Sequence, residues 1–144
     1  MLVKMENNDE LVKLAIEASK KSYSTFSKFK VGAVLVTENG KKYLGCNIEN
    51  SSYSLTNCAE RTAFFKAISE GEKSFEKIII VGSKDEKFNE FCVPCGACRQ
   101  VMAEFCNPDF KVILGKIVDG VVETKEYTLE ELLPESFKFV TLYL

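Results

Sequence analysis

The apolar positions of this chain change period several times, and each change marks an element. Over residues 9–21, Leu11, Leu14, Ala15 and Ala18 recur at three- and four-residue spacing. That spacing predicts a helix with one buried face, and Asn8 is available to cap it. Val31-Gly32-Ala33-Val34-Leu35-Val36 is a β-branched run, and Asn39-Gly40 after it is a strong hairpin signal, so residues 41–47 are predicted to return antiparallel. A polar loop follows over 48–54. From Cys58 to about Glu70, Ala59, Ala63 and Ala67 repeat every fourth residue with Phe64 and Ile68 beside them, a helix closed by Gly71. Ile78-Ile79-Ile80-Val81, within 77–83, is apolar without alternation, as expected of a central strand buried on both faces. A charged loop over 84–91 leads to a third predicted helix over 95–105, a short strand at Val112-Ile113-Leu114 and a turn at Asp119-Gly120. Residues 121–127 read as a final, edge strand. Thr128 and Glu131 match a capping box for a short helix ending near Pro134. The tail from Phe137 to Leu144 is apolar enough that it is expected to dock. One hairpin followed by alternating strands and helices predicts an α/β fold, three layers α/β/α around a mixed sheet of about five strands.

Composition narrows the classes. A chain of 144 residues that is 46% hydrophobic, with 11 Phe, fits one domain over residues 1–144 with a sizeable core. The net charge is −2 and Lys and Arg are scattered, which argues against a nucleic-acid or membrane surface built on bulk positive charge. No apolar run approaches the roughly 18 residues of a spanning helix, and the first residues lack the apolar centre of a signal peptide. A cytoplasmic protein is therefore expected. Six cysteines are an even number, so a disulfide framework has to be weighed. In a chain of this size without a secretory signal, reduced, metal-bound or buried thiols are the stronger expectation.

The chain has no histidine, which removes every histidine-based triad, general base and metal ligand. A metal centre of borderline-soft ligands must then use thiolates. Cys58-Ala59-Glu60-Arg61 and Pro94-Cys95-Gly96-Ala97-Cys98 supply three. Cys95 and Cys98 stand three apart and share a helix face. Both halves fall at predicted helix starts, where free N–H groups and the dipole favour anionic sulfur. Three protein ligands leave an open position for water on Zn²⁺. Glu60 remains free to move protons. Three thiolates leave the centre with a net charge of about −1, and Arg61 is placed to offset it by donating to sulfur. A Cys-x-x-Cys alone could be a redox pair or a structural zinc knuckle. Joined to an earlier Cys-x-Glu and preceded by proline, it resembles the zinc-deaminase signature. Cys46, Cys92 and Cys106 have no partner in the pattern and are expected to be structural. Cys92 as a fourth ligand would close the site to water.

Over about residues 23–137 the chain resembles the small homotetrameric cytidine deaminases. Phe29-Lys30-Val31-Gly32-Ala33, Gly45-Cys46-Asn47-Ile48-Glu49-Asn50, Cys58-Ala59-Glu60-Arg61-Thr62-Ala63 and Pro94-Cys95-Gly96-Ala97-Cys98-Arg99-Gln100 carry the resemblance. It implies hydrolytic deamination of cytidine and deoxycytidine in pyrimidine salvage, with one zinc per subunit on Cys58, Cys95 and Cys98. Glu60 would be the proton carrier. Asn47 and Glu49 would bind the ribose hydroxyls, Phe29 would pack on the pyrimidine, and the Ala59 N–H would meet the base oxygen. Leu132-Leu133-Pro134-Glu135-Ser136-Phe137 resembles the segment that carries Phe137 into a neighbouring active site of the homotetramer. Thr25 departs from the proline common at that position. A different substrate (a nucleotide, a base in nucleic acid, an aminopyrimidine antibiotic) fits less well, because Glu49 near the sugar would repel phosphate. A non-catalytic zinc module is the other class to separate.

Overall fold

The computed structural model describes residues 7–139. Its elements run α1 (Asn8–Ser19), β1 (Lys30–Thr37), β2 (Lys42–Cys46), a 3₁₀ turn (Tyr53–Leu55), α2 (Ala59–Ser69), β3 (Phe75–Ser83), α3 (Gly96–Phe105), β4 (Lys111–Val118), β5 (Val121–Thr128) and α4 (Leu129–Leu132). The strands form one mixed sheet in the order β2-β1-β3-β4-β5. β1 pairs antiparallel with β2 and β3, β3 pairs parallel with β4, and β4 pairs antiparallel with β5. A parallel pair needs a crossover rather than a hairpin, and α3 lies in that connection.

Alternation along the central strands fills two cores at once. The register aligns Leu35, Ile78 and Val112, and beside them Ala33, Ile80 and Leu114, on one face. These pack with Ala63, Phe64 and Ala67 of α2 and Met102 of α3. Phe64 is the hub, with ring centroids 5.3 Å from Phe75, 6.3 Å from Phe105 and 6.0 Å from Phe110. The opposite face carries Val34, Ile79 and Ile113, covered by Leu11, Val12 and Ala15 of α1. The unbroken apolar runs of β1 and β3 thus follow from a sheet sandwiched between helices.

Several boundaries differ from the sequence reading. Asn7, not Asn8, caps α1, its Oδ1 accepting from the Glu10 N–H at 2.9 Å. The capping box at Thr128 and Glu131 forms as expected. The tail does not dock within the chain over the described residues. Phe137 and Phe139 are 68% and 79% exposed and meet edge to face, their ring centroids 5.5 Å apart. Gln100 Nε2 donates to the Phe137 carbonyl at 2.7 Å, but both sheet faces are already covered by α1, α2 and α3. Residues 140–144 of that tail, and 1–6 at the other end, lie outside the described residues.

One close approach sets where α2 begins. A Cβ on Gly45 would lie 2.3 Å from the Ala59 carbonyl and 2.7 Å from the Ala63 nitrogen. Those are backbone atoms that cannot swing aside. Gly45→Ala is expected to cost about 1–3 kcal/mol of stability and to push the first turn of α2 off the sheet. Thermal unfolding and zinc content of the purified variant check this together. A variant with unchanged Tm removes the close packing as the reason for glycine.

Candidate active site

The sulfurs come together because two helices start at the same place. Cys58 is the N-cap of α2 and Cys95 the N-cap of α3, and neither side chain makes a capping bond. Their thiols are therefore free to face each other. Cys98, in the first turn of α3, is buried. The Cys58 and Cys95 sulfurs are 3.8 Å apart, and those of Cys95 and Cys98 are 3.4 Å apart. All three Sγ atoms lie within 4.8 Å of one another, and every cysteine is free. A tetrahedral zinc with Zn–S bonds of about 2.3 Å separates its sulfurs by about 3.8 Å. The cluster fits that ion with little adjustment, and Cys92 is no part of it.

The surrounding charges favour thiolate. Arg61 Nη2 donates to Cys58 Sγ at 3.1 Å, while its Nε is buried with no partner. Hydrogen bonding from Cys98 and from Arg61 holds the Cys58 thiol well below its ordinary range. Cys98 moves the opposite way, because it donates to Cys58 and is buried. A divalent cation held by all three as thiolates would displace their remaining protons. The Arg61 guanidinium is pushed up by its bond to Cys58. Burial pushes Cys92 up to about 12, helped by the nearby charges of Glu60 and Cys58, so it stays a thiol. Cys106 is likewise raised by burial and Cys46 more mildly so, as structural cysteines should be.

Glu60 lies in the first turn of α2 and is only 4% exposed. Desolvation raises its pKa above the ordinary carboxylate range, against a bond from its own N–H and the attraction of Arg61. A carboxylate poised in this way suits a group that must both take and give a proton. Ala59 beside it is fully buried and opens the helix, so its N–H has no intrahelical acceptor.

The other expected site residues lie on the loops that converge here. Ile48 and Asn57 exchange two backbone hydrogen bonds of 2.9 Å, which fastens the end of the β2 segment to the residue before Cys58. Glu49 accepts from the Phe26 and Ser27 N–H groups at 3.0 Å each and from the Ser27 hydroxyl. These donors, the Ser27 hydroxyl first, hold its carboxyl below the usual range, so it is ionised at neutral pH. Phe26, Ser27, Glu49, Tyr53 and Thr56 line a cavity of about 400 Å³. The ring of Phe29 lies over Gly82 beside Cys92. Asn47 is buried, and much of its amide is already engaged. Its Oδ1 accepts from Val31 N–H at 2.9 Å and from the Ser22 hydroxyl, and its Nδ2 donates to the Phe29 carbonyl at 2.8 Å. Phe137 presents no side chain to the sulfurs within this chain, its ring standing exposed.

Arg99 is half-buried and bonded within the chain. It ties the start of α3 to α4, through Nε to the Pro94 carbonyl at 2.8 Å and Nη1 to the Leu132 carbonyl at 2.7 Å. Ser22 and Ser27 were invisible in the pattern. A lone serine in a polar loop has no periodicity to mark it.

Fold and site define an α/β protein with a three-cysteine cluster, suited to a metal ion, assembled at two helix N-termini. The family model described as the cytidine and deoxycytidylate deaminase zinc-binding region matches residues 5–114. The chain belongs to that cytidine and deoxycytidylate deaminase family. It is 47% identical over 129 residues to a cytidine deaminase of Sporosarcina psychrophila, covering 90% of each chain. It is 48% identical over 127 residues to one of Halalkalibacterium halodurans, covering 88% of this chain and 91% of the relative. The crystal structure of cytidine deaminase from Burkholderia pseudomallei superposes with a TM-score of 0.79 at 42% identity, over 92% of this chain and all of that one.

Proposed function

We propose that this protein is a zinc-dependent hydrolase that converts cytidine and deoxycytidine to uridine and deoxyuridine, releasing ammonia, in pyrimidine salvage. The observation that carries this reading is the cluster of Cys58, Cys95 and Cys98 with the buried carboxylate of Glu60 beside it. In each subunit these cysteines would hold one zinc, three protein ligands being the number a catalytic zinc site uses. Bound there, zinc supplies a Lewis acid that makes a water reactive near neutral pH. Glu60 would take one proton from the attacking water and deliver it to ring nitrogen N3, then take the second from the hydroxyl added at C4 and pass it to the departing amine. Water is added and ammonia lost, so the atoms balance. Asn47 and Glu49 orient the sugar, Phe29 covers the pyrimidine, and the Ala59 N–H meets the base oxygen. The ionised Glu49 disfavours nucleotides, since it would face the sugar's phosphate.

The chain acts as one deaminase domain in a homotetramer with shared active sites. Exposed Leu55, Phe65, Val93 and Phe137 support a partner surface, because such apolar groups are costly to leave in water. Phe137 completes a neighbour's site. Free cysteines throughout suit a reducing cytoplasm.

Ammonia release from cytidine, deoxycytidine, CMP and cytosine, with and without chelator, tests the assignment. Turnover of the two nucleosides alone, abolished by chelation, is the expected result. Zinc-loaded protein inert toward all four overturns it. Arg61→Gln is expected to keep zinc and lower kcat by about tenfold. An unchanged kcat and pH–rate profile removes its charge-balancing role.

A further inference from the structure

Phe29 is held at both ends of its backbone by side chains near the sugar side of the site. Its N–H donates to Ser27 Oγ at 3.0 Å, and its carbonyl accepts from Asn47 Nδ2 at 2.8 Å. The same Ser27 hydroxyl donates its proton to Glu49, which also takes the Ser27 and Phe26 N–H groups. Ser27 therefore relays between a carboxylate on one segment and an aromatic residue on another. Lys28, between the two, has φ +62°, a left-handed conformation that a side-chain-bearing residue adopts only when its surroundings require it. The Lys28 N–H is satisfied by the Ser24 carbonyl at 2.9 Å, so the loop is bonded at successive positions.

We infer that Ser27 is a positioning residue that locks Phe29 to Glu49, so that sugar and base are recognised by one rigid unit. This rests on the proposed nucleoside site. A hydroxyl that accepts from one group while donating to an anion is polarised in a single direction, which strengthens both bonds. With Ser27 in place, Glu49 meets a ribose already fixed relative to the ring of Phe29, and little order is lost on binding. Without it, Glu49 retains two backbone donors, but the Phe29 N–H loses its acceptor and the loop gains freedom.

The test is Ser27→Ala in the zinc-loaded protein, with Ser27→Thr and the double variant Ser27→Ala/Glu49→Gln. The Ser27 side chain is exposed, so its removal leaves the core intact. Ser27→Ala is expected to raise KM for cytidine by about tenfold, the usual weight of a hydrogen bond to a charged group. Its kcat, zinc content and Tm stay near wild type, and Ser27→Thr restores KM. In the double variant the KM penalty is expected to fall short of the two single penalties added together, because Ser27 ties Glu49 and Phe29 into one unit. Wild-type KM in Ser27→Ala, or penalties that add in full, overturns the inference while leaving the deaminase reading intact. A wild-type protein that does not deaminate cytidine overturns both.

Discussion

Glu60→Ala is expected to keep its zinc and lose nearly all turnover. The metal-binding sulfurs belong to Cys58, Cys95 and Cys98, so deleting the carboxylate removes no ligand. General acid–base catalysis is worth about 10²–10⁴-fold for one transfer, and here one carboxylate serves several. A loss at or beyond the upper end of that range is the expectation. Metal analysis of the same preparation that is assayed for ammonia checks it, and zinc-replete Glu60→Ala with near-normal kcat would end the proton-carrier role. The same burial has a stability consequence in the metal-free protein. A carboxyl whose folded pKa is raised binds more protons folded than unfolded between the two values. Stability therefore falls as pH rises from the unfolded value, about 4.3 for a glutamate. Glu60→Gln, of similar shape and without charge, has no such loss. In chelator its Tm is expected to exceed that of wild type at neutral pH, with the gap closing on acidification below about pH 4. A gap that widens in acid contradicts the sign.

The elements that carry local signals were readable from the chain, and so was the outline of the site. Cys95 and Cys98 needed only the period of a helix, and the absence of histidine left sulfur as the soft ligand. The apolar run of β3 announced a strand buried on both faces, which the two cores of the sheet explain. What could not be read depended on contacts between segments far apart in sequence. Asn47 read as a polar loop residue given a ribose role only by the resemblance, and its amide also bonds Val31, Phe29 and Ser22, 16 to 25 residues away. Nothing in the local pattern of Asn47 encodes those partners. Gly45 read as part of a strand, and only the path of α2 over β2 gives its missing side chain a reason. Arg61 was placed by sequence position alone, and its 3.1 Å bond to Cys58 arises because three residues along a helix return to the same face. Over residues 137–139 the tail stands exposed within the chain, because hydrophobicity says a segment needs cover without saying which molecule provides it.

Cys98→Ser is expected to abolish activity and zinc retention together while leaving the protein folded. Serine keeps the volume of this buried position but offers a hard oxygen where the ion requires a thiolate. The harder question is what metal loss does to the fold. In zinc-finger peptides the metal contributes about 10–16 kcal/mol and the apo chain is unfolded. Those peptides lack a core of their own. Here the cluster of Leu11, Val12, Ala15, Val34, Ile79 and Ile113 contains no residue of the metal site, and the Phe64 cluster is built mainly from groups that would stay packed without zinc. Each such buried side chain contributes about 1.5–3 kcal/mol, so the sheet should survive. Chelated wild type is therefore expected to keep its far-UV circular dichroism and melt several degrees lower, since a ligand bound only to the folded state stabilises it by mass action. Added zinc restores both Tm and ammonia release to wild type but neither to Cys98→Ser. A chelated protein that is unfolded at room temperature makes the centre a structural requirement of the fold. A folded, metal-free protein with undiminished kcat removes zinc from the chemistry altogether.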